Sequence, residues 1–480
     1  MSDTATEYAS IAALSERLQR GDLSPVTLTE AVLARAETLQ PHLNAFVTLT
    51  ADRARAQAQA AEIELNAGVS RGPLHGIPYV AKDLFDVAGH ATQAGCRLLA
   101  GNTASADCAV VDRLARAGMV LIGKTHTVQF AFGGVGINQD FGTPHNPWSA
   151  TAHAPGGSSS GTAVAVSAGI VPMGLGSDTG GSVRIPAALC GIAGLKTTVG
   201  RISRAGVYPL SWTLDSVGPL ARTAADCALT YAALHGPDEN DSTTLQHGPH
   251  DVLSRLELGV EGLRICFAET AFWEDVDPAV IDAVRASGAV FEKLGARVGS
   301  VELREAGQVA GGERERHRAL VVAAEGCAVN RRLLDDHFDA LDPRVANRMI
   351  AGRSLNAPDY FDTLRAWENL QRSAVDSLRD VDALIAPTCA ITARPLRTID
   401  EDLDTYAAHN GKYLRNTAIG NMLNLCGVSV PCGFDPAGMP IGLTVYAKPF
   451  DEGMALRVAH AYETATEWHT RRPDLSWAGG

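Results

Sequence analysis

Residues 174–191 read "GLGSDTGGSVRIPAALCG". The stretch continues the apolar run "IVPM" and ends in Ser177-Asp178-Thr179-Gly180-Gly181, the form of a buried strand that stops in a glycine turn. Ser182 then opens a short helical stretch. A strand followed at once by a helix is the unit of an α/β fold. Glycine lets the backbone turn its N–H groups inward, and successive N–H groups at a helix start form a concavity suited to an anion. A serine at the rim of that concavity is placed to attack a carbonyl whose oxygen sits among the N–H groups. A serine at a helix start is equally an ordinary N-cap, so this stretch alone leaves both roles open.

The same alternation recurs outward from it. "AVVDRLARAG" and "MVLIGKT" read as helix then strand, as do "TAVAVSAG" and "IVPMGLGSD". "GIPYVAKDLF" reads as a buried strand ending near Lys82. "DALIAP", "VSVPCG" and "IGLTVY" read as late strands, and "EGMALRVAHAYETATEWH" as a closing helix. The first 70 residues read as helices, one with Ser24 as N-cap and Pro25 at its first position, another stopping at Gly68. The pattern predicts an α/β fold: one large domain over residues 1–480, built on a mixed sheet covered by helices on both faces. Residues 240–370 are richer in charge ("ERERHRA", "RRLLDDHFDALDPR") and poorer in strand patterns. They read as a helical excursion beside the sheet, not as a second domain.

Composition narrows the function classes. Hydrophobic residues make up 46% of the chain, enough for a large core, and the net charge of −13 tells against nucleic acid and anionic membrane as partners. Nine cysteines without a CxxC, mostly in apolar runs, read as buried reduced thiols of a cytoplasmic protein. The charged N-terminus has no signal-peptide core, and no apolar run reaches the ~18 residues that span a bilayer. "GMVLIGKT", residues 118–125, fits the P-loop expression, but its spacer is itself a strand and a helix precedes it, so it is rejected. "GSSSG" around Ser159 fits the nucleophile-elbow pattern but lacks the preceding strand. No HExxH or close Cys/His cluster occurs, so neither metal nor cofactor is expected. His75, His126, His145 and His153 read as structural.

A nucleophilic serine needs a base. No Asp–His pairing is visible, and Lys82, at the end of the apolar strand "IPYVA", is the candidate. Burial disfavours an ammonium, so a lysine there can serve as a neutral amine. Residues 155–162, "PGGSSSGT", have the composition of a flexible linker. They stand, however, in the most apolar part of the chain and lead straight into a helix, which a linker between two halves does not do.

Taken together, "GIPYVAKD", "APGGSSSG" and "GSDTGGSVRIPA" resemble the amidase signature family, serine hydrolases with a Ser–Ser–Lys triad. The likeness continues through "GLKTTVGRIS", "DSVGPLART", "VDALIAPT" and "GVSVPCGFDPAGMPIGLTVYAKPFDE", and covers nearly the whole chain, least distinctively over 240–370. It implies that Lys82, Ser158 and Ser182 are catalytic, that Gly157–Ser158 is a cis peptide, and that the N–H groups of Thr179, Gly180, Gly181 and Ser182 hold the oxyanion. Asp178 and Arg184 are then supports of the site, or simply a structural ion pair. The chain departs from the family at Ser160 and Leu84, where a glycine and a polar residue are commoner.

The resemblance implies amide or carbamoyl C–N hydrolysis through an acyl-enzyme on Ser182. The partner is a small-molecule amide, with no metal, nucleic acid or membrane, and with a homodimer open. The alternative within the family is the glutaminase subunit of a tRNA-dependent amidotransferase. That subunit carries a tyrosine-rich stretch where this chain reads "APDYFDTLRAWENLQRSAVDSL", with one tyrosine, so the free-standing amidase is expected. Walls of the substrate pocket are expected from 129–134, from 240–370, and near Cys389 and Arg415.

Overall fold

The computed structural model describes residues 4–269, 271–310 and 312–479; the side chains of residues 4, 5 and 312–318, which include most of the charged run "ERERHRA", lie outside that description. Eleven strands form one mixed sheet: β1 (Phe46–Leu49), β2 (Pro78–Lys82), β3 (Val120–Thr125), β4 (Met173–Asp178), β5 (Ala193–Lys196), β6 (Ser216–Ala221), β7 (Arg264–Glu269), β8 (Arg297–Glu302), β9 (Ala383–Pro387), β10 (Cys426–Phe434) and β11 (Pro440–Ala447). Their order across the sheet is β1-β3-β2-β4-β6-β5-β10-β11-β9-β7-β8. The β3, β2 and β4 neighbours run parallel, as do β9, β7 and β8, and the strands between are antiparallel.

The sheet is buried on both faces. Along β9, Ala383 and Ile385 join one apolar cluster while Leu384 and Ala386 join another. Successive side chains on a strand point to opposite faces, so helices must cover both. This is why β2, β3 and β4 read as unbroken apolar runs rather than alternating ones. The predicted cap at Ser24 is in place, its hydroxyl accepting from the N–H groups of Val26 and Thr27.

One expectation needs correction. Residues 240–370 are not purely helical: they contribute β7 and β8 to the same sheet. β8 is an edge strand whose residues are exposed or half-buried, so it carries no apolar signature. The short β1 was also read as part of a helical region. All nine cysteines are buried free thiols. No described helix is long and apolar enough to cross a membrane.

A buried acid at the end of the fold distant in sequence from the glycine loops sets a testable stability term. Glu463 is 2% exposed. Burial raises its pKa to about 8; the Ala224 N–H opposes the rise and Asp226 adds to it. The folded state therefore holds a proton that the unfolded chain releases near the ordinary value of 4.5. Stability from this group is complete below pH 4.5 and is lost as pH rises to about 8. Glu463→Gln, which cannot ionise, is expected to match the wild type at pH 4 and to melt several degrees higher at pH 9. Thermal melts at the two pH values check this; equal midpoints at pH 9 contradict it.

Candidate active site

Lys82 is the last residue of β2 and is fully buried. β2 lies parallel to β4 with Ala81 opposite Leu175, so the lysine emerges beside the end of β4. This is the strand-end position at which open α/β sheets bind ligands. Its Nζ lies 2.7 Å from Ser158 Oγ and 2.9 Å from Ser177 Oγ. Burial lowers the pKa of the amine to about 7, against the opposing pull of the Asp215 and Asp178 carboxylates. Close to neutral pH a large fraction of this amine is thus uncharged and able to accept a proton.

The loop 155–159 is no linker. Gly156 N–H donates to Val135 O at 3.0 Å, Gly157 N–H to Gly134 O at 2.8 Å, and Ser159 N–H to Ser182 O at 3.2 Å. The last bond ties the Ser158 loop to the Ser182 turn. Gly157–Ser158 is a cis peptide. A Cβ on Gly157 would stand 2.8 Å from Gly133 O, so only glycine fits. The helix Ser160–Ser167 follows at once.

The turn after β4 is held from below by one buried ion pair. Arg184 meets both carboxylate oxygens of Asp178 at 3.0 Å, and also donates to Tyr446 OH and Asn421 Oδ1. Burial would raise the Asp178 pKa, but Arg184, with help from Lys196 and Asn421, holds it at about 2. Asp178 also accepts from the N–H of Gly181 at 2.8 Å. That bond engages one of the four expected oxyanion donors in this arrangement. The N–H groups of Thr179, Gly180 and Ser182 have no acceptor among the described residues. Gly181 has φ +134°, and a Cβ there would stand 2.1 Å from Thr417 Oγ1, whose hydroxyl donates to Gly180 O at 2.7 Å.

Ser182 is 3% exposed at the edge of this turn. No hydrogen bond joins its hydroxyl to Ser158 Oγ in this arrangement. Catalytic contacts of this kind are often long in a ligand-free site and tighten with substrate.

A chamber opens in front of Ser182. The turn forms one wall, and Phe132, Leu210, Leu214, Val322, Arg348 and Met422 form much of the rest. The expected contributions from 129–134 and 240–370 are therefore present. Cys389 packs in a buried cluster and does not line the chamber, while Leu414 and Ala418, on the helix that carries Arg415, do line it. Arg348 is the chamber's one cation among the described residues. It donates to Phe132 O at 3.0 Å, and its guanidinium lies 4.1 Å from the Phe132 ring centroid. No described carboxylate lines the chamber. Of the two departures from the family, Leu84 lines a neighbouring cavity and Ser160 begins the helix behind the loop, and among the described residues neither hydrogen-bonds the amine. Burial lowers the His126 pKa to about 4, which makes its imidazole a weaker proton acceptor than the Lys82 amine. Among the described residues no group of three or more His, Cys, Asp or Glu could hold a metal ion.

Sequence reasoning missed Ser177, Arg348, Thr417 and Asn421. Ser177 was legible in part, since it directly precedes Asp178 at the end of β4, the strand beside β2. The other three reach the site only through packing.

A mixed α/β sheet with a buried lysine and two serines meeting at glycine turns defines a candidate acyl-transfer centre. The amidase family model matches residues 27–456, and the chain belongs to the amidase signature family of hydrolases. The A-subunit of glutamyl-tRNA(Gln) amidotransferase from Chloroflexus aurantiacus is 37% identical over 494 residues, 98% of this chain and 99% of that one. The native peptide amidase of Stenotrophomonas maltophilia is similar in structure, with a TM-score of 0.85, 30% identity, and coverage of 97% of this chain and 98% of that one. A protein from a complex described as revealing the evolutionary origins of an s-triazine catabolic enzyme has a TM-score of 0.89 and 31% identity, covering 97% and 100%.

Proposed function

We propose that the chain cleaves the C–N bond of a small carboxamide through an acyl-enzyme on Ser182. The observation that carries this reading is the buried Lys82 amine, with its pKa of about 7, 2.7 Å from Ser158 Oγ. Neutral Lys82 takes the Ser158 proton as Ser158 takes that of Ser182, and Ser182 Oγ attacks the carbonyl carbon. The oxyanion gathers among the N–H groups of Thr179, Gly180 and Ser182. The C–N bond breaks as Ser158 returns a proton to the leaving amine. Water then attacks the ester by the same relay, releasing the acid and freeing Ser182. Asp178 and Arg184 hold the turn without touching substrate. No metal or cofactor is needed for any step. Residues 1–480 act as one catalytic domain in this reading, with 240–370 supplying part of the chamber wall, and the nine buried thiols suit the cytoplasm.

The chamber supports a narrower substrate class. Arg348 offers guanidinium donors to a chamber with no described carboxylate, which suits an amide carrying an acidic group at its far end. Arg348→Met is expected to raise KM for acid-bearing amides about 10- to 100-fold, the worth of a charge-assisted hydrogen bond, and to leave KM for neutral amides within about threefold. Steady-state kinetics on matched acid and neutral amides test this; equal losses on both contradict it.

The second reading, the glutaminase subunit of a tRNA-dependent amidotransferase, is favoured by the relatives. Curated relatives carry that name at 36–38% identity over nearly the whole chain. This outweighs the single tyrosine that pointed to a free-standing enzyme. Glutamine is itself a small acid-bearing carboxamide, so both readings share the chemistry and differ in partners. Ammonia release by the purified chain from glutamine, dicarboxylic monoamides, and neutral aliphatic, aryl and peptide amides separates them. Release without a partner supports the free-standing amidase. Release from glutamine only on adding partner chains and tRNA supports the amidotransferase reading. No release under any of these conditions overturns both.

A further inference from the structure

Asp215 stands immediately before β6, and β6 pairs antiparallel with β4 so that Ser216 faces Asp178. The carboxylate is thereby carried to the end of β4, where Lys82 also emerges. Its Oδ1 accepts from the Thr179 hydroxyl at 2.5 Å. Its Oδ2 accepts from the N–H groups of Leu210 and Ser211 at 2.8 and 2.9 Å. One side chain thus joins segment 210–215 to the turn whose N–H groups face the chamber. Asp215, Thr179 and Ser177, the second hydroxyl on the Lys82 amine, all line one small cavity beside the chamber.

Charge makes the position more telling. Two acids act on the Lys82 amine, Asp215 from this segment and Asp178 from β4. Asp178 is neutralised by its two-pronged contact with Arg184. Arg204, the cation of the neighbouring loop, donates to Asp241 and to the carbonyls of Trp212 and Asp215; its charge and the bonds from Thr179, Ser211 and Leu210 favour the ionised Asp215 against the burial that raises its pKa.

We propose that Asp215 is a positioning residue of the catalytic centre: through Thr179 its carboxylate fixes the oxyanion turn, and its charge, partly offset by Arg204, acts on the Lys82 amine. The proposal rests on the reading of Lys82 as the base. Two consequences separate it from a merely structural role. Removing the charge disfavours the ammonium, so the base titrates at lower pH. Removing the Thr179 hydroxyl loosens the turn and keeps the carboxylate, whose pKa then rises with the loss of that hydrogen bond.

The test is the rate of Ser182 modification by a fluorophosphonate, followed across pH in the full chain for wild type, Asp215→Asn and Thr179→Val. The wild-type rate is expected to rise through about pH 7 to a plateau. Asp215→Asn should move the rising limb down by about one pH unit or more, as loss of a nearby opposite charge does, and lower the plateau. Thr179→Val should lower the plateau about tenfold, the cost of a displaced oxyanion donor, and move the limb less than Asp215→Asn does. An unmoved limb in folded Asp215→Asn overturns the charge role. An undiminished plateau in Thr179→Val overturns the turn-fixing role, and does so even if Asp215→Asn does not fold. A wild-type profile with no rising limb is a different failure: it removes Lys82 as the base, and the charge role with it.

Discussion

Purified protein carrying Ser182→Ala is expected to lose amide turnover by roughly 10⁵- to 10⁶-fold, the scale on which members of a catalytic triad act as a unit. Its fold should be unchanged. The Ser182 hydroxyl makes no hydrogen bond within the described chain, so its removal leaves no buried partner unsatisfied. The backbone of residue 182, which accepts from Ser159 N–H, is untouched by the substitution. Measuring kcat beside the thermal midpoint checks both halves. Turnover within tenfold of wild type would place the nucleophile elsewhere.

Lys82→Arg and Lys82→Ala are expected to fail together, each losing several orders of magnitude in acylation rate. Proton transfer alone is worth ~10²–10⁴-fold. Arginine keeps the charge but cannot release its proton at any working pH, so it does not rescue. The sign of the pH dependence follows from the same fact. Burial lowers the Lys82 pKa to about 7, and the deprotonated amine is the active form. Acylation therefore climbs as pH rises through 7 and levels off above it. A falling limb across that range, or near-normal acylation in Lys82→Arg, would mean that the lysine is not the base.

What the sequence made legible, and what it hid, follows from how each signal arises. β2 and β4 are buried along their whole length and advertise themselves as apolar runs between glycines and prolines. β8 has exposed or half-buried side chains, so only its backbone pairing makes it a strand. The glycine turn was readable, but the bond that one of its donors makes was missed. An aspartate commonly binds the backbone N–H groups that follow it, and Asp178 does so to Gly181, three residues on. That local rule was the available signal. Thr417 bonds to Gly180 across 237 positions, and Arg348 reaches the chamber by donating to Phe132 O across 216. Contacts of that range leave no local pattern in the chain.

The central claim is that one serine among the five at 158, 159, 160, 177 and 182 carries the acyl group. A fluorophosphonate adduct, located by mass spectrometry of proteolytic peptides from the wild type, Ser182→Ala and Ser158→Ala, tests it most directly. The expected result is an adduct on Ser182 alone in the wild type, none in Ser182→Ala, and slow labelling of Ser182 in Ser158→Ala. An adduct on Ser158, Ser159, Ser160 or Ser177 in the wild type, or labelling that survives Ser182→Ala, would contradict it.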